Sequence, residues 1–87
     1  MKKPRNIVGP VVRQFREKKG LTQADLAAKL NLAGWDISRE TLAKIESRIR
    51  WVSDFEVLLL ADSLEISGPE LLRLAASHSK DNDQTAS

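Results

Sequence analysis

Apolar residues recur at helical spacing in five stretches, each opened by a residue suited to a helix start and closed by a break in the pattern. In the first, Gly9 serves as N-cap with Pro10 at the first helical position. Val11, Val12, Phe15 and the stem of Lys18 form the inner stripe, Arg13, Arg16, Glu17 and Lys19 stay outside, and Gly20 closes a helix running to about Lys19. Thr22 with Asp25 opens a second helix whose buried face is Leu26, Ala27 and Leu30. Asn31–Ile37 breaks the period, and Ser38 caps a third helix, Arg39–Ser47, with Leu42 and Ile45 inward. Ser53 with Glu56 and Ser67 with Glu70 are full capping boxes for helices at about Asp54–Leu64 and Pro69–Ser77. The fourth helix carries Phe55, Val57, Leu58, Leu59, Leu60, Ala61 and Leu64, more apolar surface than one stripe, so part of it calls for a second partner.

The expectation is an all-α, compact domain over residues 7–78, preceded by a basic arm (1–6) and followed by a disordered polar tail (79–87). At 87 residues one hydrophobic core is available, and without cysteine neither disulfides nor a thiolate zinc site supports it. No apolar run approaches the roughly 18 residues of a membrane span, and no hydrophobic signal core follows the basic N-terminus. A cytoplasmic protein with no membrane association is the reading.

Charge changes the picture more than composition does. The net charge of +2 conceals a polarity: residues 1–50 hold 12 Lys/Arg against 5 Asp/Glu, a net of +7, while residues 51–87 hold 2 against 7, a net of −5. A locally basic surface attracts a polyanion even when total charge is modest. Catalytic chemistry finds no support: there is no glycine-rich phosphate loop, no nucleophile with an adjacent base and no convergent carboxylate pair, and the single histidine, His78, makes neither a metal site nor a dyad. No enzyme activity and no cofactor are expected.

Leu21-Thr22-Gln23-x-x-Leu26-Ala27-x-x-Leu30, then Ser38-x-x-Thr41-Leu42-x-x-Ile45-Glu46, then Ala61-x-x-Leu64-x-Ile66 together resemble the Cro/phage-repressor, or XRE, family of helix-turn-helix DNA-binding proteins, over about Val8 to Leu72. The resemblance implies a five-helix λ-repressor-like domain. Its third helix, Arg39–Ser47, would lie in the major groove with its N-terminal residues nearest the base edges. Arg39 then suits guanine O6 and N7, Glu40 accepts from cytosine N4, Thr41 meets a phosphate or a thymine methyl, and Ser38 stands at the same helix start. Lys44 reaches a base or phosphate, or forms a solvated i,i+4 pair with Glu40. Gln23, in the first turn of the second helix, is placed to bind a backbone phosphate, and Arg48 and Arg50 follow where family members contact phosphate. Glu46 is implied to be structural, ion-paired with a basic residue such as Arg13 or Arg16. The Lys2-Lys3-Arg5 arm, Arg13, Lys18 and Lys19 are weaker DNA candidates.

Three features depart from the family pattern. The connector Asn31–Ile37 has seven residues where 3–4 are usual; Trp35 and Ile37 fill the space beneath it, or the turn itself reaches the DNA backbone. Arg48 stands where glycine is common and Val52 where proline is common. Trp51 reads as core or rim packing. The expected function is a sequence-specific regulator of transcription, a repressor that binds double-stranded DNA as a possible homodimer through Val57, Leu60 and the outer leucines of the fifth helix. The alternative is an antitoxin-like protein-interaction module on the same fold.

Overall fold

In the computed structural model the backbone of residues 3–86 and the side chains of residues 3–79 are described; Met1 and Lys2 of the arm and Ser87 lie outside the described residues. The chain forms α1 (Gly9–Lys18), α2 (Gln23–Leu32), α3 (Arg39–Glu46), α4 (Asp54–Ser63) and α5 (Gly68–Ala86). Among the described residues no helix is long and apolar enough to cross a membrane.

Local chemistry sets most helix starts. Thr22 and Ser53 make reciprocal capping boxes with Asp25 and Glu56, and the Ser38 hydroxyl accepts from the Thr41 N–H. At Ser67 only half the expected box forms: its hydroxyl accepts from the Glu70 N–H, while the Glu70 carboxylate turns to the Arg73 guanidinium at 2.8 and 3.0 Å. A charged donor one turn away displaces the neutral N–H. α1 begins one residue early, with Val8 as N-cap, because the Asn6 side chain accepts from the Gly9 N–H at 2.9 Å.

The helix ends are alike. After α1, α2, α3 and α4, a residue with positive φ closes the last turn, and the next N–H bonds back to a carbonyl five residues earlier. Glycine holds that position after α1 and α2 (Gly20, Gly34), but Arg48 and Glu65 hold it after α3 and α4, at φ of 65° and 63°. α5 runs past the Ser77 boundary through the segment expected as a tail, which contains no glycine or proline to stop it.

The inward faces meet in one core of Val8, Val11, Val12, Leu26, Ala27, Leu30, Ile37, Leu42, Ile45, Val57, Leu60, Ala61, Leu64, Leu71 and Ala75. α1 packs on α3 and α5, α2 on α3 and α4, and α4 on α5. Gly9 lets α1 lie directly on the last turn of α3, since a Cβ there would collide with the Ile45 and Glu46 carbonyls. Burial overturns one surface expectation: Val57 and Leu60 belong to this core, leaving Phe55 and Leu58 of α4 and Leu72 of α5 as the exposed apolar residues. Val57 and Leu60 share one side of the helix and Phe55 and Leu58 another, so only the second pair needs a partner.

Candidate nucleic-acid interface

The connector between α2 and α3 is shorter than its sequence suggests, since Asn31 and Leu32 complete α2 and only Ala33–Ser38 remains. Gly34, at φ 100°, reverses the chain, and the Asn31 Nδ2 amide donates to the Trp35 and Ile37 carbonyls at 2.8 and 3.0 Å. Asn31 therefore extends the helix with its backbone and staples the turn with its side chain. Ile37 is buried and Trp35 half-buried against the core, which is the packed reading of this segment. The turn is thus rigid and holds α3 at a set position beside α2.

α3 divides cleanly. Leu42 and Ile45 are fully buried, while Arg39 and Glu40 present side chains 62% and 72% exposed and Lys44 is also exposed. Arg39 Nη2 lies 3.7 Å from Glu40 Oε2, so the anticipated Glu40–Lys44 pair is replaced by one between neighbours. An exposed contact of that length contributes little, and both groups remain available. The Ser38 hydroxyl accepts from the Thr41 N–H at 3.1 Å and donates to Thr41 Oγ1 at 3.1 Å, so it serves the helix start. Thr41 is half-buried at the edge of the exposed face.

Beneath this face lies a buried ion pair. Glu46 accepts from Arg16 Nε at 2.8 Å and Nη2 at 3.1 Å, and Arg16 Nη1 donates to the Leu21 carbonyl at 2.8 Å. Both residues are 8% exposed, so Arg16 is not on the outer surface of α1 where its position in the helical repeat placed it. The bidentate carboxylate makes its burial tolerable, and the Glu46 hydrogen bond holds the Arg16 guanidinium's pKa above its ordinary value. Arg13, the other candidate, pairs with Glu17 instead. Gln23 Nε2 donates to Glu46 Oε1 at 3.1 Å. The residue expected at a phosphate is therefore oriented from within the protein, and a primary amide retains a second N–H.

The two connector arginines differ. Arg48 is half-buried in its left-handed position, and its carbonyl accepts from the Arg5 N–H at 2.9 Å. Arg50 is committed to the protein: Nη1 donates to the Trp51 carbonyl at 2.9 Å and to Glu56 Oε1 at 3.1 Å, Nη2 to Glu56 Oε2 at 3.4 Å, and its guanidinium carbon lies 5.8 Å from the Trp35 ring centre. Burial opposes ionisation of Glu56, but hydrogen bonds from Arg50 and Ser53 outweigh it and hold the carboxyl below the usual glutamate range. Arg50 thus ties the α2–α3 turn to the start of α4.

Sequence reasoning missed two elements. Asn6 Nδ2 donates to the Ile45 and Arg50 carbonyls at 3.1 and 2.8 Å, fastening the arm to both ends of the α3 exit; an Asn three residues before Gly9 was the available signal. Trp51, read as core or rim, is 69% exposed.

A family model described as helix-turn-helix matches residues 12–71, which includes α2, α3, α4 and the Arg16–Glu46 pair but not the arm that carries Asn6. No curated protein matches.

Proposed function

We propose that this chain, which belongs to the helix-turn-helix family of Cro and phage-repressor type, is a sequence-specific transcriptional regulator that represses by occupying an operator in double-stranded DNA. Membership and the all-α λ-repressor-like fold follow from the match over residues 12–71 and the helix arrangement. The observation that carries the finer reading is the open face of α3, where Arg39, Glu40 and Lys44 project from a helix anchored by Leu42, Ile45 and Glu46. That face suits the major groove, with Arg39 on guanine O6 and N7 and Glu40 on cytosine N4. Thr41 and Lys44 flank them. Gln23, oriented by Glu46, contributes its remaining N–H to a phosphate at the start of α2, and Arg48 contributes a second.

One helix reads few base pairs, so a two-fold homodimer is part of the proposal, through Phe55, Leu58 and Leu72. The same apolar residues favour the second reading, an antitoxin-like module that covers a protein partner. The reading places the chain in the compartment that holds the DNA it binds.

Selection of bound sequences from random duplexes, run with the unaltered chain and with Arg39→Ala, tests this directly. A recovered motif that loses selectivity at defined positions on Arg39→Ala is the expected result. Absence of binding to any duplex at low salt overturns the reading, and partner binding that survives Arg39→Ala plus Lys44→Ala supports the second one.

A further inference from the structure

The first turn of α3 carries Arg39 and Glu40, the residues assigned to base edges, yet it is the least anchored part of that helix. Leu42, Ile45 and Glu46, which bury α3, lie in its middle and last turn, while Arg39 and Glu40 are exposed and Thr41 is half-buried. α3 packs on α1 and α2, and α4 lends it no comparable contact. The direction of the first turn is therefore set by the chain that leads into it, Ala33–Ser38. That connector exceeds the usual 3–4 residues, and a longer connector has more conformations to lose before it holds one.

Trp35 stands in the middle of the connector and is gripped from two sides. On the core side its ring is half-buried, its N–H donates to the Leu30 carbonyl at 3.0 Å, and its carbonyl accepts from Asn31 Nδ2 and the Ile37 N–H, both at 2.8 Å. Over the ring lies the Arg50 guanidinium, its carbon 5.8 Å from the ring centre, and Glu56 clamps that group with both carboxylate oxygens at 3.1 and 3.4 Å. Glu56 belongs to the capping box that starts α4, and the Arg50 carbonyl accepts from Asn6 Nδ2 at 2.8 Å, so the guanidinium is placed from two fixed points. Glu56, Arg50 and Trp35 form a strut from the start of α4 to the turn. Ile37, Ser38 and Arg39 follow Trp35 directly, so the strut reaches the reading end of α3 through a few bonds.

A guanidinium so engaged is a poor phosphate ligand, because a phosphate reaching it meets the Glu56 carboxylate at the same atoms and like charges at that distance repel. Planar stacking with two-point binding is what arginine offers and lysine does not. Resting on the DNA-binding reading, we propose that Arg50 and Trp35 are positioning residues for base recognition: the strut fixes the angle at which the first turn of α3 enters the major groove. Arg50 thus acts on selectivity through Arg39 and Glu40 without touching DNA.

The test compares the full chain with Arg50→Lys, Glu56→Gln and Trp35→Leu. Each is titrated across salt against the duplex that the unaltered chain selects and against a mixed-sequence duplex of equal length, with urea unfolding to fix the folded fraction. Arg50→Lys keeps the charge and loses the stack and the fork, so the ratio of the two affinities falls about tenfold, within the range one bidentate base contact supplies. Its mixed-sequence affinity and salt slope hold. Glu56→Gln lowers the ratio in the same direction, and these two partly exposed sites carry the test even where Trp35→Leu fails to fold. Arg50→Lys combined with Trp35→Leu loses no more selectivity than the larger single loss, because both act through one strut. A merely structural role lowers the urea midpoint and leaves the ratio unmoved, since folded molecules read as before; that result overturns the proposal. It is equally overturned, in favour of a phosphate ligand, by Arg50→Lys matching the unaltered chain while Glu56→Gln tightens binding to all sequences at constant ratio. In both cases selectivity still lost in Arg39→Ala leaves the reading helix standing. If the unaltered chain selects no duplex, the DNA-binding reading and this proposal fall together.

Discussion

Removing one member of the Arg16–Glu46 pair should cost far more than removing both. In Glu46→Leu the guanidinium stays buried with only the Leu21 carbonyl on Nη1 as hydrogen-bond acceptor, and its contacts at 2.8 and 3.1 Å are gone. The Glu17 carboxylate, half exposed and 4.0 Å from Nη2, screens this charge only weakly, and breaking a buried pair of this kind costs about 3–5 kcal/mol. A domain of this length has a total stability of about 4–13 kcal/mol, so Glu46→Leu should lose a large part of it, with Tm falling by at least about 12 °C. Arg16→Met leaves Glu46 with only the Gln23 amide and should cost a similar amount. Arg16→Met with Glu46→Leu replaces the pair by apolar groups in an apolar setting and should return to within about 2 kcal/mol of the starting stability, or exceed it. Urea unfolding of the four proteins closes a double-mutant cycle, with an expected coupling of about 3 kcal/mol or more. The Arg16 contribution has no pH dependence near neutrality: a guanidinium pKa raised in the folded state gives stability that is fully present below the ordinary guanidinium range and is lost only as pH climbs through the folded value. Single-variant costs below about 1 kcal/mol, or costs that simply add in the double variant, would refute the reasoning. The double variant also separates stability from recognition. Its fold persists while Gln23 loses the carboxylate that orients it, so duplex affinity should fall roughly fivefold, the worth of about one hydrogen bond.

Gly9→Ala and Gly34→Ala should differ in kind. Gly34 has open space around it and a φ of 100°, so alanine there costs about 1 kcal/mol of backbone strain, while Cβ at Gly9 meets the Ile45 and Glu46 carbonyls and forces α1 off α3 at about 3 kcal/mol or more; equal urea midpoints would contradict the packing. Arg48→Gly relieves a left-handed strain of about 1–2 kcal/mol against a backbone-entropy cost of about 0.5–1, so it should stabilise the domain slightly while weakening DNA binding. A variant improved in both respects would remove the case for a retained arginine. Glu56 is held below its ordinary value of 4.5 by Arg50 and Ser53 against the effect of burial, so it contributes stability above that value, lost as pH falls through the depressed folded pKa. Acid titration followed by circular dichroism should show a shallower loss below about pH 4.5 in Glu56→Gln; an unchanged profile would place the acid sensitivity elsewhere.

The helices were legible because their signals are local. Thr22, Ser38 and Ser53 each sit a few bonds from the N–H groups they satisfy, and Leu26, Leu30, Leu42 and Ile45 repeat at the spacing that puts them on one face. The family resemblance was legible for the same reason, since each of its three blocks of residues lies within one helix and the turn beside it. Boundaries shifted where a distant or competing group intervened: Asn6 moved the start of α1, Arg73 drew Glu70 away from Ser67, and Asn31 extended α2 while closing the turn after it. The roles of cations were least legible. Arg16, Arg48 and Arg50 look alike in a helical repeat or a connector, and only their partners distinguish them.

By itself, then, the sequence determined the number and type of elements, the apolar faces that join them and the chemistry offered on α3, because capping and periodicity are decided within a few residues. Only the tertiary structure decided which charges are buried against each other, that Val57 and Leu60 are core while Phe55 and Leu58 are not, and that Arg50 is held between Glu56 and the Trp35 ring. Those outcomes depend on segments some 40 residues apart being brought within hydrogen-bonding distance, as Asn6 is to Ile45 and Arg50. An exposed cation and a paired one differ by what folding places beside them, and no local spacing records that.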